Sequence, residues 1–159
     1  MHILLMFRRK DFIELVNYLS KKYHMQATGS YKRKKEFIGD LDFLTYNDPQ
    51  KIYENIKKDA NINLISNGPL YVHFKLWDLI DVNIWRMNKE NSIFQKLGHD
   101  YDKQLQISLR RKAKNMGYKL TSNGLFDENN NLMKVKNIED VFNILNVKYR
   151  SPQVGHLNI

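Results

Sequence analysis

The chain has 159 residues, enough for one domain, or one domain with a small appendage, around a buried core. Hydrophobic residues make up 42%, an ordinary value for a folded protein, and the absence of cysteine excludes a disulfide framework and any thiolate metal site. A formal charge of +9 favours an anionic partner, nucleic acid before a membrane face, although a Lys-, Asn- and Ile-rich chain from an AT-rich genome is basic for compositional reasons as well.

The chain opens with a short apolar run followed by Arg8, Arg9 and Lys10. That is the reverse of a signal peptide, and no stretch is long enough to span a membrane, so the expectation is an intracellular protein that is not secreted. The histidines are scattered without zinc spacing.

Residues 11 to 23 are predicted as the first helix, with Phe12, Leu15, Val16, Leu19 and Tyr23 on one face and Asp11 with Glu14 as a capping box. Residues 24 to 28 read as extended and lead into Gly29-Ser30. An extended run that ends in Gly-Ser and turns into a helix leaves backbone N–H groups free at the helix start, an anion site suited to phosphate. Arg33 in the first turn would close on the same phosphate from the side.

Next comes Gly39-Asp40-Leu41-Asp42-Phe43-Leu44, read as a strand through Tyr46. Side chains alternate across a strand, so Asp40 and Asp42 share one face while Leu41 and Phe43 point into a core. Two carboxylates on one face beside a phosphate site suit Mg²⁺, which binds through one or two carboxylates plus substrate phosphates. An Asp-x-Asp pair by itself is common on solvated strand edges, and it gains meaning from Gly29-Ser30 upstream.

Asn47-Asp48-Pro49 is a helix start, followed by a short helix over 49 to 58 with Ile52, Tyr53 and Ile56 inward. A strand over 62 to 66, a turn at Asn67-Gly68-Pro69 and a strand from Tyr71 to Leu76 follow. In Leu79–Trp85, Ile80, Val82 and Ile84 face one way and Asp81 and Asn83 the other. An acid in the middle of such a strand makes Asp81 the third member of a carboxylate cluster with Asp40 and Asp42. The stretch near residues 86 to 100 shifts in composition and marks a subdomain boundary.

From Asp102 to Met116 the period is helical again, with Leu105, Leu109, Ala113 and Met116 as the buried stripe. Lys103, Arg110 and Lys114 line another face. Such a row is usually just solvated, but it also suits a phosphate backbone. Gly117 ends the helix. Residues 118 to 135 read as a hairpin with a polar tip at Asp127–Asn131 and a returning strand Leu132–Val135. A last helix spans about 138 to 145.

Gly29-Ser30-Tyr31-Lys32-Arg33, Gly39-Asp40-Leu41-Asp42 and Ile80-Asp81-Val82 together resemble the palm of family X DNA polymerases, the DNA polymerase beta-like group. Leu109–Leu120 with Asn123-Gly124-Leu125-Phe126 is similar to that family's thumb helix and hairpin, and Ile138–Phe142 with Lys148–Pro152 resembles its closing motifs. The resemblance implies an α+β fold: a nucleotidyltransferase palm over 1–90, a mixed sheet flanked by helices, followed by a small α/β thumb over 91–159. The chain looks like the minimal viral palm-and-thumb members, which carries with it a cytoplasmic or virion location in an infected host, and without a lyase domain no lyase activity is implied.

For function, the resemblance implies a DNA-directed DNA polymerase that fills short gaps in repair. Two Mg²⁺ ions about 3.5–4 Å apart clamp the attacking and leaving oxygens in such enzymes, and Mn²⁺ substitutes. Asp40 and Asp42 would hold both ions and Asp81 the one beside the primer hydroxyl. Gly29, Ser30 and Arg33 would hold the triphosphate, and Gly39 would let the backbone approach the nucleotide. Lys103, Arg110 and Lys114 would grip DNA. The partners expected are gapped or primer–template DNA and deoxynucleoside triphosphates, with no membrane and a monomeric chain.

One segment departs from the family. Its aromatic pair before Thr-Gly, where the incoming sugar is checked, is absent from Phe94–His99 when aligned on Gly98, and the thumb alignment brings Tyr101 near that turn. The rival readings are a template-independent nucleotidyltransferase, which shares Gly-Ser and Asp-x-Asp, and a nucleic-acid-binding module with an inactive site. Three clustered acids facing a polyanion argue against the second, since without metal they repel DNA.

Overall fold

The structure, a computed structural model, describes residues 5–156; the first four residues of the apolar start noted above lie outside the described residues. The chain falls into two compact units that divide after Asn88. Among the described residues no helix is long and apolar enough to cross a membrane.

The first unit is built on a five-stranded mixed sheet. Strand β1 (Phe7–Arg8) pairs antiparallel with β3 (Phe37–Ile38) in a separate two-stranded ribbon. A 3₁₀ turn over Arg9–Phe12 enters helix α1 (Ile13–Tyr23). The capping box at Asp11 and Glu14 does not form: the residue at the helix cap is Phe12, and no side chain caps the turn. The buried face is nonetheless Phe12, Val16 and Leu19, with Leu15 and Tyr23 packed partly against the core.

Strand β2 (Gln26–Thr28) leads into α2 (Gly29–Lys32), and β4 (Asp40–Thr45) follows β3. Helix α3 (Pro49–Asp59) is capped by Asp48, whose carboxylate accepts from the Gln50 N–H at 3.0 Å. Proline at the first helical position has no N–H to leave unpaired, which fixes this start. Strands β5 (Ile62–Gly68), β6 (Tyr71–Leu76) and β7 (Ile80–Arg86) form a meander. Asn67 and Gly68 belong to β5, so the turn sits one step later than the sequence pattern placed it, at Pro69-Leu70.

The sheet order is β2-β4-β7-β6-β5, and β4 and β7 are its parallel pair. One face carries Leu41, Phe43, Val72, Phe74, Val82 and Ile84, all buried, in one cluster with Val16 and Leu19 of α1 and Ile52, Tyr53 and Ile56 of α3. The other face carries the polar half of the same alternation. Burial of one face therefore dictates which side chains are presented on the other.

The second unit is held by a core of its own. Helices α4 (Ser92–Asp100) and α5 (Lys103–Asn115) are followed by a hairpin of β8 (Lys119–Thr121) and β9 (Gly124–Phe126) and by helix α6 (Ile138–Ile144). Asp102 caps α5, accepting from the Leu105 N–H at 2.8 Å. Leu105, Leu109 and Ala113 pack with Leu120, Leu125, Val141, Phe142 and Leu145. Met116, predicted in that stripe, is exposed because the helix ends at Asn115 and Gly117 turns left-handed at φ 80°. The returning strand Leu132–Val135 is reduced to a single bridge between Leu132 and Phe126, since Asp127 ties its loop to Asn129 and Asn131 instead. The α+β class and the mixed, helix-flanked sheet are those expected from the sequence.

Candidate active site

Parallel pairing sets Asp40 of β4 opposite Asp81 of β7, and Asp42 opposite Asn83. All four sit on the sheet face away from the core, as the alternation requires. On the far side of β7, antiparallel pairing adds His73 opposite Asn83 and Lys75 opposite Asp81. The acids predicted from two distant stretches of sequence thus lie on neighbouring strands of one face.

Asn83 ties the first two acids together. Its Nδ2 donates to Asp42 Oδ1 at 2.9 Å and reaches Asp40 Oδ2 at 3.4 Å. Burial pushes the Asp42 carboxyl up from 3.8 to about 7, and the charge of Asp40 pushes the same way; the Asn83 amide and the Arg33 guanidinium oppose them. Arg33 thus stands within electrostatic reach of Asp42. Two carboxylates so close do not both ionise readily without a cation between them.

Asp81 is turned toward β6. Its carboxylate lies 3.6 Å from Lys75 Nζ and 3.7 Å from His73 Nε2. Its Oδ1 is buried and accepts no hydrogen bond among the described residues. As the side chains stand, no three His, Asp or Glu groups among the described residues are gathered tightly enough to hold a metal ion. The donor set itself suits a hard divalent cation: all three acids offer carboxylate oxygens, and a cation would relieve the burial and mutual repulsion of the Asp40–Asp42 dyad.

The Gly29-Ser30 turn meets this face from β2, where Thr28 is the register partner of Asp42. Helix α2 is a single turn of four residues, too short to build an appreciable macrodipole, and Arg33 caps its end rather than lying in its first turn. What remains is a tight loop packed against the acids. Gly29 has φ 65°, and a methyl carbon there would stand 3.1 Å from Asp42 Cβ and Cγ and closer still to Oδ2. Glycine is required at this position by two independent constraints. Gly39 differs: a methyl there would meet only the Met6 sulfur, at 3.8 Å, so no contact among the described residues demands its absence.

In the second unit, Lys103, Arg110 and Lys114 are exposed on α5. Phe94 and Tyr101 are not open to a substrate. Phe94 is buried in α4, and Tyr101 is buried with its hydroxyl donating to the Arg150 carbonyl at 2.7 Å, beside the Phe142 ring at 5.7 Å. Burial also holds the Tyr101 phenol well above its ordinary range. The apparent match of Tyr101 to a sugar-checking turn is therefore a core position. The residues that sequence reasoning missed are Asn83, Lys75 and His73. Strand alternation put Asn83 beside Asp81, but only the pairing of β7 with β4 and β6 gives these three their neighbours.

Residues 102–154 match the sequence profile of the DNA polymerase beta thumb. No curated protein sequence matches the chain. In structure, the chain is similar to Leishmania infantum polymerase beta in its ternary P/T complex, with a TM-score of 0.78 and 19% identity over 94% of this chain and 76% of that one. The same enzyme in its ternary gap complex gives 0.78 and 18%, over 94% and 70%. The chain is therefore polymerase beta-like in fold, and its thumb segment is polymerase beta-like in sequence as well.

Proposed function

We propose that this polymerase beta-like chain is a DNA-directed DNA polymerase of family X that fills short gaps during DNA repair. The observation that carries the reading is the pairing of Asp40 and Asp42 with the Asp81 strand on one polar sheet face, beside the glycine turn at Gly29. On this reading the unit through Asn88 is the palm, close to the 1–90 expected from the sequence, and the remainder is the thumb.

In the proposed reaction the primer 3′-oxygen bonds to the α-phosphorus of a deoxynucleoside triphosphate, the α–β phosphoanhydride bond breaks, and pyrophosphate leaves. Asp40 and Asp42 would hold Mg²⁺, or Mn²⁺ in its place, with Asp81 as the third carboxylate. Bound there, two such ions supply electrostatic stabilisation of the attacking and leaving oxygens. Asn83 fixes the Asp42 carboxylate through Nδ2 and so orients the dyad. Asp81, flanked by Lys75 and His73, would hold the ion beside the primer hydroxyl. Gly29 and Ser30 would receive the triphosphate, with Arg33 adding positive charge on the leaving side. Gly39, where a side chain would meet only the Met6 sulfur, would let the backbone approach the nucleotide. Lys103, Arg110 and Lys114 would hold the DNA backbone.

The test is extension of a one-nucleotide-gapped duplex and of a single-stranded primer, with Mg²⁺ and each nucleotide supplied separately. Extension of the gap that follows the templating base is the expected result. Extension of the single strand alone would replace the proposal with a template-independent transferase. DNA binding without extension would leave a binding module. The ratio of deoxy- to ribonucleotide incorporated reports how this chain discriminates sugars with Tyr101 buried.

A further inference from the structure

Two stretches that are basic in sequence meet in the folded first unit. Pairing of β1 with β3 sets Arg8 opposite Phe37, and the Arg9 N–H donates to the Glu36 carbonyl at 2.9 Å. Arg9 is clamped further. Its Nε donates to the Tyr31 carbonyl at 2.8 Å, and its guanidinium lies 4.2 Å from the Tyr31 ring centroid. On the other stretch, Lys34 is held at φ 58°, an uncommon conformation for lysine, with its N–H bonded to the Tyr31 carbonyl at 3.1 Å. The result is a cleft of about 280 Å³ lined by Arg8, Arg9, Lys10, Lys34, Lys35 and Glu36.

Five cations therefore share one concave surface with one acid. A charged face on a soluble protein is normally spread out and mixed in sign, because like charges repel. Here backbone pairing forces the cations together from segments more than twenty residues apart in the chain. Concave walls of low dielectric focus the field of one sign and raise the local concentration of an anion. The mixture of guanidinium and ammonium groups suits phosphate oxygens, which arginine takes in bidentate fashion and lysine as a point charge.

We propose that this cleft is a second DNA contact of the chain, taking backbone phosphates with residues distinct from the α5 row and from the Gly29 loop. The proposal rests on the DNA-binding reading above. The cleft carries a large part of the formal excess of +9, so it makes a large share of the salt-dependent attraction.

The experiment is binding of a short blunt DNA duplex, followed by fluorescence anisotropy over a series of salt concentrations. Each phosphate contact adds roughly 0.9 to the slope of log K against log salt, so Lys10→Gln with Lys35→Gln should make the slope shallower by about 1.8. Lys57→Gln with Lys58→Gln makes the same change in net charge on α3, outside the cleft, and should leave the slope as in the wild type. Lys10→Arg with Lys35→Arg should also keep it. As a measurement free of any variant, duplex DNA should protect Lys10, Lys34 and Lys35 of the wild-type chain from acetylation. An unchanged slope in the Gln pair, an equal loss in the α3 pair, or full acetylation of these lysines on DNA would each overturn the cleft while leaving DNA binding intact. A wild-type chain that binds no duplex would overturn both.

Discussion

Asp42→Asn removes one charge from the sheet face and leaves the shape unchanged, since an amide oxygen still accepts from Asn83 Nδ2, now at 2.9 Å. In the wild type the Asp42 carboxyl moves from 3.8 to about 7 on folding, with burial as the larger cause and Asp40 next. The folded state thus holds this proton more tightly than the unfolded chain does. Its stability is full below the unfolded value, near 3.8, and is lost as the pH rises through about 7. The shift corresponds to at most about 4 kcal/mol; sharing of charge with Asp40 and local relaxation leave roughly 1–2 kcal/mol. The amide variant escapes this loss. Urea unfolding in the presence of a chelator should therefore give a variant about 1–2 kcal/mol more stable than wild type near pH 8, with the gap falling to less than half of that near pH 5 and closing only as the pH approaches the unfolded value. Mg²⁺ added near pH 8 should close the gap by stabilising the wild type alone. Nucleotide incorporation by the variant should be lost, so that stability and activity move in opposite directions. A difference between the two proteins that is independent of pH, or larger near pH 5 than near pH 8, would refute the argument that the dyad is electrostatically strained.

Asp40→Ala and Asp81→Ala should each abolish incorporation on gapped DNA while circular dichroism and duplex binding stay close to wild type; residual turnover in either would remove that acid from the proposed chemistry. Gly29→Ala should lower stability by about 1–2 kcal/mol from the left-handed backbone alone and displace Asp42 as well, whereas Gly39→Ala should unfold like wild type but lose nucleotide affinity, a contrast read by urea titration beside steady-state kinetics. Burial opposes ionisation of Asp102, but the Leu105 N–H and the His156 ring and N–H still hold its carboxyl below the usual range. Asp102→Ala should then destabilise the second unit by about 1 kcal/mol at neutral pH, an effect that fades as the pH falls through the folded pKa of Asp102 and is visible in thermal unfolding at a series of pH values. Phe142→Ala, at a fully buried site, should destabilise by about 3–5 kcal/mol in the same measurement.

Several elements were legible before any coordinates. Helix α3 announces itself through Asn47-Asp48-Pro49, and β7 through the alternation of Ile80, Val82 and Ile84 with Asp81 and Asn83. These are local signals, each set by one backbone period or one cap. The errors share a different origin. Asp11 and Glu14 have the spacing of a capping box, but the chain enters α1 through a 3₁₀ turn that also positions Arg9 over Tyr31. One alignment brings Tyr101 near the turn where the family checks the sugar, and packing against Phe142 makes it core. Spacing along the chain carries no information about which of two surfaces a side chain finally meets.

The amino-acid sequence by itself determined the two hydrophobic periods, the Asn47-Asp48-Pro49 helix start, the glycine punctuation and the alternation that sets Asp40 with Asp42. These depend on residues at most a few positions apart, and steric and hydrogen-bonding rules act there without reference to the rest of the chain. Tertiary structure decided which of those elements meet. Parallel pairing of β4 with β7 brought Asn83, some forty residues away, onto the dyad and set Asp81 on the strand beside it. It is the distance between Asp42 and Gly29 that excludes a side chain, and the pairing of β1 with β3 that gathers the basic cleft. Desolvation, repulsion between like charges and steric exclusion all depend on distance through space, and only the folded chain fixes those distances.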